Sequence, residues 1–368
     1  MSLALNGITR RVGAELHIAP TTVELASHGF NVLLGTTLAG KTTLMQLMAG
    51  LLRPSAGTLH FRGSDVTGVP VQRRNVAMVY QQFINYPNMT VFENIASPLR
   101  VAGVSRKEIR RRVGEIAELL RLSPLLDRKP AELSGGQQQR TAMARALVKD
   151  ADLVLLDEPL ANLDYKLRED LRDELPRLFA GRDCVVVYAT TEPVEALLLG
   201  GHVATMHEGR ITQFGPTAEV YRRPRDLRTA RVFSDPPINI ARVVKHGERM
   251  RLADTIDWTL PARDAALPDG EYTLGLRPHH VLPAALVADG PDRVRVQGKV
   301  LIDEISGSES VAHFMLDERP WVSIAHGVHQ LAVGEPAVFD LDVSQALYFD
   351  ADERLVEAGA AAATAGGG

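Results

Sequence analysis

Short apolar runs alternate with helically spaced apolar residues along this 368-residue chain, up to about residue 230. The continuous apolar runs predict buried strands, at residues 32–34, 76–80, 154–156 and 185–188. Helical spacing predicts helices over residues 41–52, where Pro54 follows, and over residues 105–122. Continuous apolar strands are typical of a sheet that is covered on both faces. The pattern therefore predicts an α/β fold with a mostly parallel sheet.

The pattern changes near residues 234–237, which read Ser-Asp-Pro-Pro. Beyond them the apolar segments are short and alternating, as at residues 294–296 and 338–341, which is typical of a small β-barrel or sandwich. Residues 358–368 are alanine and glycine with one threonine, a composition that cannot form a core. We expect an α/β domain over residues 1–235, a β domain over residues 236–356 and a disordered tail over residues 357–368.

Composition and charge narrow the classes of function. The net charge of −4 argues against the broad basic surface of nucleic-acid binders, so no nucleic-acid partner is expected. The single cysteine, Cys184, lies in an apolar run, and we expect a buried thiol in a reducing compartment. The first residues show no signal-peptide pattern, and no apolar run reaches the ~18 residues that a membrane span needs.

A glycine-containing loop between a predicted strand and a predicted helix carries the first chemical signal. Residues 35–43, Gly-Thr-Thr-Leu-Ala-Gly-Lys-Thr-Thr, match the phosphate-binding pattern G-x-x-x-x-G-K-[ST] in its required context. Backbone N–H groups at such a helix start favour anions. We expect Lys41 to reach the β- and γ-phosphates of a nucleotide and Thr42 to ligate Mg²⁺. The pattern alone does not identify the class of nucleotide hydrolase.

Three further motifs follow in order: residues 133–140 (Leu-Ser-Gly-Gly-Gln-Gln-Gln-Arg), 153–159 (Leu-Val-Leu-Leu-Asp-Glu-Pro) and 161–164 (Ala-Asn-Leu-Asp). Ser134 is expected to cap a helix whose first glycines leave bare N–H groups, which makes a second anion site that faces another molecule. Asp157, at a strand end, suits indirect Mg²⁺ coordination, and Glu158 suits a general base.

Together these motifs resemble those of ABC transporter ATP-binding subunits. Residues 35–43 resemble the Walker A motif, 153–159 Walker B, 133–137 the ABC signature, 161–164 the D-loop, and Gln81 the Q-loop glutamine. The resemblance covers residues 1–235. Within the family, the segments 206–224 and 275–281 resemble the carbohydrate and polyol importer branch. It implies a P-loop ABC ATPase domain, with a mostly parallel sheet and a helical subdomain, followed by an OB-like β regulatory domain.

In that family two ATPase subunits enclose two ATP molecules, and each site combines the Walker motifs of one chain with the signature of the other. The resemblance implies that Mg²⁺ is held by Thr42, Gln81 and Asp157. It implies catalytic roles for Glu158, Gln81 and Thr191. The residues expected to contact ATP are Val12, Gly35, Thr36, Thr37, Leu38, Ala39, Gly40, Lys41, Thr42, Thr43, Ser134, Gly135, Gly136, Gln137 and Asp164.

Three positions depart from the family pattern. Thr191 aligns with the switch histidine and cannot carry a positive charge near neutral pH. Val12 stands at the position where the family has an aromatic residue that stacks on adenine. Two interpretations of His17 stay open: it replaces that aromatic residue in stacking on adenine, or it is a surface residue of a strand. Leu38 replaces the middle glycine of Walker A, at a cost of about 1–2 kcal/mol if its φ is positive. The Walker and signature residues are otherwise retained, which predicts an unequal ATPase whose own site is weakened.

The resemblance implies an ATPase that powers an importer for a small carbohydrate or polyol from the cytoplasmic face of the membrane. Its expected partners are a second ATPase subunit, two permease subunits and, indirectly, a substrate-binding protein. The altered residues resemble one of the paired ATPases of glycerol or glycerol-phosphate importers. A homodimer stays open beside a heterodimer. The alternatives are an exporter ATPase, an ABC protein acting on ribosomes or DNA, and a nucleotide-binding regulator that mainly supplies its signature to a partner.

Overall fold

The computed structural model describes residues 2–82, 84–161, 163–253 and 255–356. Contacts divide the chain into two compact units, Met1–Val220 and Tyr221–Gly368. The helix Leu227–Val232 falls in the second unit because its apolar residues form a small core with Ile238 and Phe349. The proposed domain limit at residue 235 stays a prediction, and the proposed tail lies outside the described residues.

The first unit combines two sheets with helices. Its strands are β1 (Leu3–Val12), β2 (Glu15–Leu25), β3 (Phe30–Gly35), β4 (Ala56–Phe61), β5 (Ser64–Asp65), β6 (Val76–Val79), β7 (Leu153–Asp157), β8 (Val185–Thr190), β9 (His202–His207) and β10 (Arg210–Pro216). Its helices are α1 (Lys41–Ala49), α2 (Val91–Val101), α3 (Arg106–Leu119), α4 (Gly135–Leu147), α5 (Tyr165–Phe179) and α6 (Pro193–Leu199), and α7 (Thr217–Arg222) crosses the division between the units.

The central sheet has the order β10-β9-β3-β8-β7-β6, and all its neighbouring strands are parallel except the pair of β9 and β10. The second sheet is antiparallel, in the order β2-β1-β4-β5. A shared core fills the first unit, with Leu33, Leu44 and Leu155 fully buried. The α/β fold predicted from the apolar runs is confirmed.

Two helices are shorter than their apolar patterns predicted. The predicted helix over residues 41–52 ends at Ala49, because Gly50 adopts φ 77° and its N–H turns back to Gln46 and Leu47. The predicted helix over residues 105–122 spans Arg106–Leu119, with Ser105 as its N-cap. In both cases apolar residues beyond the helix continue the periodic pattern without continuing the helix.

The second unit is built mainly of antiparallel strands. Its elements are α8 (Leu227–Val232), β11 (Asn239–His246), β12 (Arg249–Leu252), β13 (Ile256–Thr259), β14 (Gly270–Leu276), β15 (Val281–Pro283), β16 (Arg293–Ile305), β17 (Glu309–Leu316), β18 (Arg319–His326), β19 (Pro336–Asp342) and β20 (Leu347–Phe349). They form two five-stranded sheets, β13-β12-β11-β14-β20 and β15-β19-β16-β17-β18. Phe314, Trp321 and Phe339 pack in their common core, so the predicted β domain is confirmed.

Two sequence expectations concern single features. Cys184 is a free, buried thiol, as predicted. Within the described ranges, each helix is too short or too polar to cross a membrane.

Candidate functional site

The predicted site segments follow the carboxyl ends of neighbouring parallel strands. The loop after β3 carries Lys41, the turn after β7 carries Glu158, and the turn after β8 carries Thr191. Gln81 follows β6 at the end of the same sheet. Since the carboxyl ends of parallel strands share one edge, the strand order brings segments from distant parts of the chain together.

The phosphate-binding loop ends at a glycine that the geometry requires. Gly40 is the N-cap of α1 with φ 97°, and an added Cβ would lie 3.0 Å from Ile18 Cδ1. The loop is held from outside, because Gly209 N–H donates to Ala39 O at 3.0 Å. With no side-chain cap at Gly40, the first N–H groups of α1 are available to an anion.

Lys41 is buried, with only 5% of its surface exposed. Its Nζ donates to the carbonyl oxygens of Gly35 at 2.8 Å and Thr36 at 3.1 Å. Glu158 Oε1 lies 3.4 Å away. The ammonium group is therefore fixed inside the loop, with one carboxylate beside it.

Thr42 and Asp157 form the second contact of the site. The Thr42 hydroxyl donates to Asp157 Oδ2 at 2.7 Å. Asp157 Oδ1 is buried and has no hydrogen-bond partner among the described residues, and burial raises the pKa of this carboxyl. An unsatisfied buried carboxylate oxygen beside a hydroxyl fits a divalent cation. In the described part of the chain, no three His, Cys, Asp or Glu residues could hold a metal together.

Glu158 has a left-handed backbone, with φ 46°. For a residue other than glycine this conformation costs about 1–2 kcal/mol. Its N–H donates to Ala189 O at 3.0 Å, which ties the turn after β7 to β8. Its Oε2 accepts a hydrogen bond from Gln81 Nε2 at 3.1 Å. The carboxylate therefore lies between Lys41 and Gln81.

A cleft of about 450 Å³ surrounds these groups. It is lined by Leu16, His17, residues 37–43, Gln81, Glu158, Glu208 and Gly209. Gly35 and Thr36 reach it only through their carbonyl contacts with Lys41. Leu16 was missed by the sequence reasoning. Its place in the β1–β2 hairpin, opposite Arg11, is the signal that could have indicated it.

Val12 and Thr191 are among the predicted residues that lie outside the lining of this cleft. Val12 is 49% exposed, and Thr191 is exposed on the turn after β8. Neither is among the described residues that border the cleft. His17 does border it, so of the two residues considered for stacking on a base it is the nearer to the phosphate loop.

Leu38 adopts φ 68°, which settles the question that the sequence left open. This is the left-handed region, so the leucine is strained where the family pattern has glycine. Its side chain is 96% exposed, and packing within the unit does not compensate the strain.

The signature segment forms a separate feature. Ser134 caps α4 together with Gln137 in a capping box: Gln137 N–H donates to Ser134 Oγ at 3.4 Å, and Ser134 N–H donates to Gln137 Oε1 at 2.9 Å. Gly135 and Gly136 form the first turn. None of these residues borders the cleft that holds Lys41. The predicted helix start is confirmed, and its free N–H groups belong to a different surface.

Asp164 caps α5, since its Oδ1 accepts from Leu167 N–H at 3.0 Å. Asn162 of the same motif lies outside the described residues. The carbonyl of Ala161 accepts from Arg168 at 3.3 Å, and Arg168 also donates to Glu192 Oε1 at 2.8 Å. Arg168 thereby joins the segment before α5 to the turn that carries Thr191, a contact that no sequence motif indicated.

A buried carboxylate supports the same turn from below. Glu195 Oε2 accepts from Thr190 Oγ1 at 2.7 Å and from Tyr188 OH at 2.9 Å. Burial raises the pKa of Glu195, and the two hydrogen bonds oppose that shift. The turn after β8 is thus fixed on both sides of Thr191.

Comparisons with known proteins agree with this geometry. The family model described as "ABC transporter" matches residues 20–161. The sn-glycerol-3-phosphate import ATP-binding protein UgpC of Pectobacterium atrosepticum is 35% identical over 96% of this chain and 98% of its own length. An uncharacterized ABC transporter ATP-binding protein, YcjV of Escherichia coli, is 31% identical over the same shares of the two chains.

A solved structure is similar to part of the chain. The dimeric ATP-binding cassette MJ0796, in a post-hydrolysis state bound to ADP and Pi, is 26% identical, with a TM-score of 0.54. The match covers 58% of this chain and 98% of the other.

Proposed function

The chain belongs to the ABC transporter ATP-binding family, and we propose that it is the ATP-hydrolysing subunit of an importer for sn-glycerol 3-phosphate or a chemically similar polyol. Import of this cargo is named for relatives that are 35% identical over nearly their whole length. The cargo would be selected by membrane and binding-protein partners, so the relatives carry this part of the proposal.

The observation that carries ATP hydrolysis is the contact of Glu158 with both Lys41 and Gln81. In this proposal Lys41 and the N–H groups at the start of α1 bind the phosphates. Glu158 accepts a proton from the attacking water, and Gln81 orients that water. Glu158 would exchange its contact with Lys41 for the water when the phosphates bind Lys41.

The donor set also fits Mg²⁺. Thr42 Oγ1, Asp157 and Gln81 would hold it, and the unpartnered Oδ1 of Asp157 supports this assignment. When bound, Mg²⁺ would supply positive charge against the phosphate oxygens. Burial, and secondarily the neighbouring Glu158 charge, raise the pKa of the Asp157 carboxyl, and a bound cation would favour its ionised form.

We propose further that the signature residues Ser134, Gly135 and Gly136 serve the nucleotide of a second ATPase subunit. Their position away from this chain's own cleft supports that assignment, as does the dimeric form of the similar cassette. Asp164 and Gln137 would act mainly as helix caps in this arrangement. The chain would lie at the cytoplasmic face of the membrane, and two integral membrane permease subunits with a substrate-binding protein would complete the importer.

The pair is proposed to be unequal. The exposed Thr191 and the strained Leu38 both weaken this chain's own site, whereas its signature helix is complete. A second candidate function follows from the same observations: the chain would bind nucleotide, hydrolyse it slowly, and act mainly by supplying its signature to a more active partner.

ATPase assays on the purified chain test the first proposal. The chain is measured alone, with a candidate second ATPase, and as Glu158→Gln in both settings. We expect slow hydrolysis alone, faster hydrolysis in the pair, and a loss of the chain's own contribution in Glu158→Gln. A pair whose rate is unchanged by Glu158→Gln would favour the second candidate. Full activity of the lone chain would exclude the unequal pair.

The cargo is tested with the assembled importer in proteoliposomes. Uptake of sn-glycerol 3-phosphate should require ATP on the side of the vesicle membrane that the ATPase faces. Maltose should not be taken up. Uptake of maltose in preference to the glycerol compounds would refute the proposed cargo without affecting the proposed ATPase.

A further inference from the structure

One buried side chain of the signature helix contacts the turn that carries Glu158. Gln139, in α4, is 1% exposed. Its Nε2 donates to the carbonyl oxygen of Pro159 at 2.8 Å. Pro159 directly follows Glu158, so this hydrogen bond joins the helix that Ser134 begins to the proposed general base of the same chain.

The turn needs such support because of its backbone. Glu158 is held in the left-handed region at φ 46°, a conformation that persists only where the surroundings fix it. On one side the Glu158 N–H donates to Ala189 O in β8. On the other side Gln139 holds the next carbonyl. The two hydrogen bonds flank the residue whose carboxylate contacts Lys41 and Gln81.

The hydrogen bond to Pro159 satisfies only one end of the Gln139 amide. Gln139 Oε1 is buried and has no partner among the described residues, so the side chain leaves one polar atom unsatisfied. An apolar residue of the same shape would avoid that penalty but would leave the buried Pro159 carbonyl without its donor. What glutamine adds is a direction: its N–H group fixes the Pro159 carbonyl relative to α4.

We propose that Gln139 is a positioning residue that makes the orientation of Glu158 depend on the placement of α4. The inference rests on the proposed function, in which Ser134 at the start of α4 serves the nucleotide of a second subunit. Under that function, Gln139 connects the two nucleotide sites of the pair: a partner's nucleotide engages α4, and α4 adjusts the turn that holds Glu158 in the chain's own site.

The variant Gln139→Met tests the positioning role, because it keeps the side-chain length and removes the donor. Gln138→Met is the matched control, since Gln138 lies on the same helix and its amide donates to Leu133 O, away from the Glu158 turn. We expect kcat to fall about tenfold in Gln139→Met, with the KM for ATP close to wild type; the Tm should be lower, because the buried Pro159 carbonyl loses its donor. Gln138→Met should keep the wild-type kcat.

Hydrogen exchange without nucleotide measures the same contact independently of activity. The backbone amides of Glu158, Leu160 and Ala161 should exchange faster in Gln139→Met than in Gln138→Met. If Gln139→Met does not fold, Gln139→Glu keeps the length and replaces the donor by an acceptor, and the same comparison applies. Unchanged exchange and unchanged kcat in the folded variant would overturn the inference, while an active wild-type chain would leave the proposed function standing.

The connection between sites is measured by adding ATP and Mg²⁺. Coupling is reciprocal, so nucleotide at Lys41 should change the exchange of residues 135–139 in the wild type and in Gln138→Met. Gln139→Met should lose that response. A retained response would refute the connection. If the wild type binds no ATP, the proposed function fails, and the nucleotide-free exchange experiment still decides whether Gln139 positions the turn.

Discussion

The hydroxyl of Thr42 donates a 2.7 Å hydrogen bond to Oδ2 of Asp157, a residue 115 positions later in the chain. The bond links the start of α1 to the end of β7. It is the hydrogen bond that holds the buried carboxylate of Asp157. It places a hydroxyl and an unsatisfied carboxylate oxygen side by side, which is the basis for the proposed Mg²⁺ site.

The first prediction concerns this bond. Thr42→Val keeps the shape of the side chain and removes the hydroxyl, so Asp157 loses its donor while it stays buried. We expect the free energy of unfolding to fall by about 1–3 kcal/mol, measured by urea denaturation without Mg²⁺. Thr43→Val makes the same change one position along α1 and should have a smaller effect. Equal losses in the two variants would show that the Thr42 bond contributes nothing specific.

Leu38 provides the second prediction. Leu38→Gly removes a strained residue whose side chain is 96% exposed, so little packing is lost. Relief of the strain, about 1–2 kcal/mol, exceeds the added chain entropy of glycine, about 0.5–1 kcal/mol. The variant should therefore be about 0.5–1 kcal/mol more stable in urea denaturation. Leu38→Ala, which retains a Cβ, should remain near wild type, and a destabilised Leu38→Gly would contradict the strain.

The third prediction is a dependence of stability on pH that comes from Glu195. Burial raises the pKa of this carboxyl in the folded chain above its ordinary value of 4.5. The folded chain therefore takes up the proton at a higher pH than the unfolded chain. As the pH falls through the folded-state pKa of Glu195, the free energy of unfolding of the wild type rises. This rise is complete once the pH is below the unfolded-state pKa.

Glu195→Gln lacks this proton uptake, so its stability should rise less than that of the wild type as the pH falls from neutral to below the ordinary value of 4.5. Glu192→Gln removes a nearby negative charge that also raises the pKa of Glu195, so its curve should lie between those of the wild type and Glu195→Gln. Thermal unfolding over this pH range makes the comparison. Parallel curves for wild type and Glu195→Gln would show that the carboxyl titrates at its ordinary value.

Thr191→His is the fourth prediction. A histidine can make a charge-assisted contact with a phosphate that threonine cannot, worth about 1.5–3 kcal/mol. The ATPase rate of the chain should rise by about one to two orders of magnitude. Thr191→Asn, which adds a polar side chain without a positive charge, should not reproduce the gain. An unchanged rate in Thr191→His would mean that the missing charge does not limit hydrolysis.

The local elements of the site could be predicted from sequence because their signals are local. Ser134 indicated a helix start, and the structure has a capping box there that Gln137 completes. The strand before Asp157 and the loop before Lys41 followed from apolar runs beside turn residues. Helix ends were less certain, as at Ala49, because apolar residues beyond the end continue the periodic pattern.

Contacts between distant segments could not be predicted from the pattern of apolar and polar residues. Leu16 at the cleft, Arg168 between two turns, and Gln139 under Glu158 are set by how the elements pack. The same holds for the φ of Leu38, which depends on the path of its loop.

By itself the sequence determined the class of the fold and the chemistry that the chain carries, since strand and helix periodicity and the phosphate-binding motif act over a few neighbouring residues. Tertiary structure alone decided which motifs share a site. The order β3-β8-β7-β6 brings Lys41, Glu158 and Gln81 into contact. It leaves Ser134 on another surface. The sequence could not decide the strand order, because hydrophobic burial specifies which face of a strand points inward but not which strand lies beside it.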